Sequence, residues 1–159
     1  MPSRNIRLFA FAAILVVALA ACSATSKTRS DKTVPDAKRI ELRDGGPYQA
    51  VWKARDLTMN YEYTREAGQL VISGQVEFKR EKRLENFNLE AVLIDDSGRP
   101  THNQFIASAG GRRMIQEVPF KAELQVPDGT WGVSFGYSGT SRGSGQGSGS
   151  PNSFWQTPF

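Results

Sequence analysis

From Pro47 onward the chain alternates apolar and polar positions with a period of two, the signature of half-buried β-strands. Leu57, Met59, Tyr61 and Tyr63 share one face of an extended segment, and Thr58, Asn60, Glu62 and Thr64 share the other. Ala67-Gly68 supplies a turn, after which Leu70, Ile72, Val76 and Phe78 repeat the alternation with Gly74 on the same face, a bulge or close-approach position. The two segments predict a hairpin. Lys79 to Asn86, KREKRLEN, offers only Leu84 as an apolar contact and reads as a polar crossover. Leu89, Ala91 and Leu93 begin another strand that meets Asp95-Asp96-Ser97-Gly98, a strong turn signal, with Pro100 opposing a smooth continuation.

The C-terminal half is the most regular. Val118, Phe120, Ala122, Leu124 and Val126 alternate with Glu117, Lys121, Glu123 and Gln125, and Pro127-Asp128-Gly129 closes the segment. Trp131, Val133, Phe135 and Tyr137 then return with the small residues Gly132, Ser134 and Gly136 between them, the pattern of a strand whose second face is closely covered or lightly exposed. No sustained helical period follows residue 22. Six to eight strands with turn signals between them predict an all-β fold, an antiparallel β-sandwich that is immunoglobulin-like in the broad sense. A small closed β-barrel is the alternative, because both architectures alternate in the same way. The Cys, Trp, Cys spacing of true immunoglobulin domains is absent.

A different pattern opens the chain. Arg4 and Arg7 precede fourteen residues, Leu8 to Ala21, without a charge. As a helix that run spans about 21 Å, short of the roughly 30 Å of a bilayer core, so it fits a cleaved signal peptide better than a permanent span. Leu19-Ala20-Ala21-Cys22 ends in the only cysteine and resembles the lipobox of bacterial lipoproteins. That resemblance implies a diacylglyceryl thioether on Cys22, cleavage between Ala21 and Cys22, and acylation of the freed amine by a fatty acid such as palmitate. Two or three chains hold a protein to a membrane where one does so only marginally. Ser23 after the cysteine resembles the sorting pattern for an outer membrane facing the periplasm. The alternative is an ordinary secretory signal cut after Ala20, which would leave Cys22 a free thiol in an oxidising compartment.

Removing residues 1–21 takes two of the 20 basic residues and none of the 16 acidic ones, which leaves a formal charge of about +2. Near neutrality argues against a nucleic-acid partner. Residues 23–46 are rich in Ser, Thr, Lys, Arg and Asp and read as a tether, with Ile40 and Leu42 able to add a short edge strand. The expected division is a leader over 1–21, a lipidated cysteine and tether over 22–46, a sandwich over 47–138, a glycine-serine linker over 139–150 and an aromatic tail over 151–159.

Candidate chemistry is sparse. His102 is the sole histidine and no nucleophile motif accompanies it, so it reads as a surface residue. One histidine without a spare thiol makes a poor metal site, and Asp95 to Gly98 lacks the spaced ligands of a calcium loop. The glycine-rich stretch 139–150 lacks a P-loop lysine and leads into no helix. Lys79, Arg80, Lys82 and Arg83, with Arg112 and Arg113, read as solvated charge, interrupted by Glu81 and Glu85. No catalytic residue, cofactor or metal is expected. The tail differs, because Phe154, Trp155 and Phe159 crowd its last six residues and aromatics of that size are costly to leave in water. They dock either on the chain's own domain or on a partner, with Trp155 and Phe159 as anchors.

With the lipobox, the segments ASAGGRR, PDGTWGVSFGYSG and GSGSPNSFWQTPF resemble small bacterial β-sandwich lipoproteins without an assigned activity. Three functions follow in order. The first is a non-enzymatic binding or assembly module, membrane-anchored through its lipid and holding another envelope protein. The second is a structural lipoprotein that binds lipid or glycan through exposed aromatics. The third is a hydrolase with an unrecognised site.

Overall fold

A computed structural model describes residues 32–111, 114–142 and 151–159. Ala21 and Cys22, with the whole leader, lie outside the described residues, as do Arg112, Arg113 and residues 143–150. The fold is all-β. A three-residue 3-10 turn, Asp36–Lys38, precedes eight strands: β1 (Ile40–Glu41), β2 (Gly45–Lys53), β3 (Leu57–Glu66), β4 (Gln69–Ile94), β5 (Pro100–Gly110), β6 (Met114–Gln125), β7 (Gly132–Arg142) and β8 (Asn152–Gln156). Every pairing is antiparallel.

The architecture turns on β4. Its first half lies between β3 and β6, and its second half lies between β7 and β5. Twenty-six extended residues would span about 85 Å at ~3.3 Å each. Yet Val126 N–H donates to Gly68 O and Trp131 N–H donates to Ile94 O, so both ends of β4 are held by one short segment. The strand must therefore fold back on itself. The two layers expected of a sandwich are the two ends of one curled sheet, a half-barrel in shape, with β5 and β6 following one edge of β4 in succession.

The segment Lys79 to Asn86 is thus strand and not the expected crossover. Its polar run marks the bend. The inward positions are even from Leu70 to Leu84 and odd from Phe87 to Leu93, and the register with β7 slips between Leu84 and Asn86. One extra residue at Glu85 changes the parity, which is what a β-bulge does while sharpening the local twist. Polar side chains suit that stretch because a bending strand turns much of itself to solvent.

Inside the curl the halves meet through aromatic rings. Phe135 on β7 lies 5.5 Å from Trp52 on β2 and 5.4 Å from Tyr61 on β3, centroid to centroid. Gly74 faces this interior, and a Cβ there would overlap the Asn60 carbonyl oxygen, so it is a close-approach site. The Asp95 to Gly98 turn forms as expected: the Asp95 carboxylate accepts from the Ser97 hydroxyl at 2.6 Å and from the Arg99 N–H at 2.8 Å. Those bonds hold its carboxyl below the ordinary carboxylate range.

The folded region extends past the boundaries expected at residues 47 and 138. Val34 is fully buried, β1 pairs with the start of β7, and Leu42 belongs to the main core. The last part of the expected tether is therefore packed. At the other end, Gly139 to Arg142 belong to β7 instead of opening a linker.

Candidate functional site

The C-terminal tail separates the three aromatics expected to dock. As strand β8 it pairs with β7, Phe154 opposite Gly139 and Trp155 opposite Ser138, and the alternation of a strand sends these neighbours to opposite faces. Phe154 faces inward, 6.1 Å from Phe78, 6.5 Å from Phe87 and 6.1 Å from Tyr137, with the Lys82 ammonium 4.4 Å above its ring. Gly139 provides the space, since a Cβ there would collide with the Phe154 ring. Phe159 packs on the opposite face with Val34, Val92 and Ile94, and Lys38 Nζ donates to the Thr157 and Phe159 backbone oxygens at 3.1 Å each. Phe154 and Phe159 therefore pack on the chain's own fold, Phe154 buried and Phe159 half-buried. Trp155 is 60% exposed.

Two places on the described surface hold unusual polar groupings. The first lies where the β2–β3 turn meets the bend of β4. The Tyr137 hydroxyl donates to Asp56 Oδ2 at 2.8 Å, Arg55 Nε lies 3.2 Å from the same oxygen, and Lys82 Nζ lies 3.9 Å from Oδ1. Arg55 also reaches β8: its N–H donates to Gln156 Oε1 and its guanidinium donates to the Trp155 carbonyl oxygen. Burial pushes the Asp56 carboxyl upward, but the Tyr137 hydroxyl, Arg55 and Lys82 outweigh it and hold the group below its ordinary value. Burial and the Asp56 bond push the Tyr137 phenol up to about 12. Asp56 stays ionised and Tyr137 protonated through the neutral range, so the cluster ties strand ends together and has no proton to exchange there.

The second is the outer face of the β8–β7–β4–β5 half. Register sets its rows. Trp155 stands beside Ser138, Ser138 beside Asn88, and Asn88 beside Ser108. The flanking row holds Ser153, Thr140, Asn86 and Gly110, where Asn86 Oδ1 accepts from the Thr140 N–H at 3.1 Å. On the other flank Gly136 lies under Pro158, Glu90 accepts from Asn103 at 2.8 Å, and Phe105 closes the sheet edge at 66% exposure. The Trp155 to Ser108 row and the Ser153 to Gly110 row carry no charged side chain, the third row carries Glu90 beside Phe105, and an exposed aromatic stands on each side of the face.

Elsewhere the expected candidates stay apart. Among the described residues no nucleophile or carboxylate bonds to His102, which is half-buried on β5, and the charged run from Lys79 to Arg83 lines the bend, with Lys82 turned inward to Asp56. Among the described residues no three metal-ligating side chains cluster. A shallow depression of about 400 Å³ crosses β2, β3 and β4 beside Val51, Asn60, Glu62 and Ser73. Sequence reading singled out Trp155 but missed Asn88, Ser108, Ser138 and Phe105. Their placement depends on the parity change at the bulge and on the β8 register, and a second bulge in β5 between the Leu89 and Glu90 pairings turns Phe105 outward. Phe105 and Ile106 are adjacent apolar residues, and nothing local tells which of them faces out. No protein-family profile, no curated protein and no solved structure matches the chain.

Proposed function

We propose that this chain is a lipid-anchored envelope protein that works as a non-enzymatic binding or assembly module in the periplasm, held to the outer membrane through Cys22. The lipobox resemblance of Leu19 to Cys22 supports the anchor. Trp155 carries the binding half of the reading. Its indole is 60% exposed although its chain neighbour Phe154 is locked in the core, so the backbone that presents it is fixed by pairing and packing on either side. A large, rigidly presented aromatic gains binding area with little loss of freedom, which is why tryptophan is favoured as an anchor in interfaces.

The anchor and the binding half are tested separately. The intact mass of the protein from its native host should show a mature start at Cys22 carrying a diacylglyceryl thioether and an acyl chain. Cys22→Ser should abolish the modification, and an unmodified thiol in the wild type would refute the anchor. For the binding half, affinity capture of the anchored wild type should retain an envelope component that Trp155→Ala releases. Equal retention by both would refute the role of Trp155.

A further inference from the structure

Building on the binding-module reading, we infer that the outer face of the β8–β7–β4–β5 half binds an uncharged glycan chain lying between Trp155 and Phe105. Four strands at ~4.8 Å spacing separate the two rings by about 14 Å across the sheet, with a two-residue offset along it, which leaves room for a short run of sugar rings.

The chemistry of the face selects the ligand. Ser138, Asn88 and Ser108 lie in a row between the aromatics, and none of their side chains bonds to another described residue. Hydroxyls and a primary amide both donate and accept, as sugar hydroxyls do, so the row matches a polyhydroxylated chain in either polarity. A pyranose ring also has an apolar C–H face, which an exposed indole or phenyl ring can cover while the hydroxyls at its rim reach the polar row.

Charge complementarity points the same way. Nucleic acid or an anionic lipid surface needs cations to meet its phosphates, and the three rows of this face hold none. Among the described residues the charges nearest the face are engaged: Arg142 pairs with Glu85, Arg55 pairs with Asp56, and Glu90 accepts from Asn103. A protein partner would seek a desolvated apolar centre with a polar rim. Here the order is reversed, with polar groups at the centre and aromatics outside.

Titration of the full chain with chitohexaose and cellohexaose, read by tryptophan fluorescence and backbone amide NMR shifts, tests the assignment. Binding of at least one hexamer is expected, with the largest shifts at Asn88, Phe105, Ser108, Ser138 and Trp155. Trp155→Ala should weaken it about tenfold or more, Phe105→Ala should weaken it less, and Val51→Ala on the opposite outer face should leave it unchanged. Amide spectra of each variant verify its folding, and Asn88→Ala supplies a second probe should either aromatic variant unfold. Failure of both hexamers to bind, or equal affinity in Trp155→Ala, would overturn the glycan assignment. That failure together with Trp155-dependent capture of a protein would leave the binding-module reading standing. Sugar binding together with an unmodified Cys22 in protein from the native host would support the glycan assignment and refute the anchor.

Discussion

The curled sheet has two outer faces that arise from the same alternation and do opposite things with their polar side chains. Over β2, β3, β4 and β6 the groups bond to one another: Asn60 donates to Glu77 at 3.0 Å, Ser73 donates to Glu62 at 3.5 Å, and Gln75 donates to Glu117. Over β8, β7, β4 and β5 the side chains of the central row, Ser138, Asn88 and Ser108, make no such bond to another described residue. The first face spends its hydrogen-bonding capacity on itself and is charged. The second keeps the side chains of its Ser138, Asn88 and Ser108 row unbonded, carries Glu90 with its bond from Asn103 beside that row, and is flanked by Trp155 and Phe105. Exposure alone would not separate them, since Val51 on the first face is 56% exposed. The proposed recognition surface differs from the solvated one by its unbonded polar row beside a rigid aromatic.

Both faces depend on the interior they enclose, so the strongest perturbation should erase the contrast. Phe135 is 1% exposed and touches rings from the opposite half. Phe135→Asp should leave no folded protein at 25 °C, because burying an unpaired charge costs several kcal/mol against a total stability of about 5–15 kcal/mol. Urea denaturation followed by near-ultraviolet circular dichroism would show no folded baseline. A cooperative transition would mean that the two halves are held together by something other than this core.

A smaller loss is expected from the strand that presents Trp155. Phe154→Ala should cost about 3–5 kcal/mol, the usual range for deleting a buried phenylalanine ring, and it should also lower glycan affinity by loosening β8. A loss under about 1 kcal/mol in the denaturation midpoint would show the tail to be an appendage of the sheet, and the second face would lose its rigid edge.

The sequence reveals these two levels unequally. The all-β class, the Ala67-Gly68 hairpin, the Asp95 turn and the inward set from Leu57 to Tyr63 follow from local alternation and turn chemistry, which act between near neighbours. The bend of β4 does not. KREKRLEN looks like a connection because its side chains are polar, yet its backbone groups find partners on β6, β7 and the Asp56 carbonyl, contacts set by residues far along the chain. The parity change at Glu85 then decides that Asn88 faces out and Leu89 faces in. Composition showed a tail rich in aromatics, but dividing Phe154 from Trp155 required the register with β7. The face proposed for recognition is a product of long-range pairing, and a single sequence carries little trace of it.

Between the two faces sits the Asp56 cluster, and its titration should affect stability without altering either surface. The folded Asp56 carboxyl lies below its reference value of 3.8, so its contribution is present above that pH and is lost as pH falls through the folded value. The Tyr137 phenol is raised from 10.0 to about 12, so its contribution is intact below pH 10 and is lost as pH rises toward 12. Asp56→Asn should flatten the acid limb of the stability profile below pH 3.8 and shift the alkaline limb to lower pH, since part of the Tyr137 shift comes from Asp56. Urea midpoints between pH 2 and 4 and between pH 9 and 12 give both readings. An unchanged acid limb would remove Asp56 from the contacts that close the seam.

The smallest effect on stability should come from the residue given the largest role in binding. Trp155 makes its side-chain surface available on the outer face, and its strand is secured by backbone bonds to β7, by the Phe154 ring and by the Arg55 bond to its carbonyl oxygen, none of which needs the indole. Trp155→Ala should therefore change the denaturation midpoint by no more than about 0.5 kcal/mol, the ordinary range for an exposed site. Placed beside Phe154→Ala, one residue away on the same strand, it forms a paired measurement: stability falls with the inward ring and binding falls with the outward one. A loss above about 2 kcal/mol for Trp155→Ala would mean that the indole covers part of the fold, and the distinction drawn between the two outer faces would fail at its clearest point.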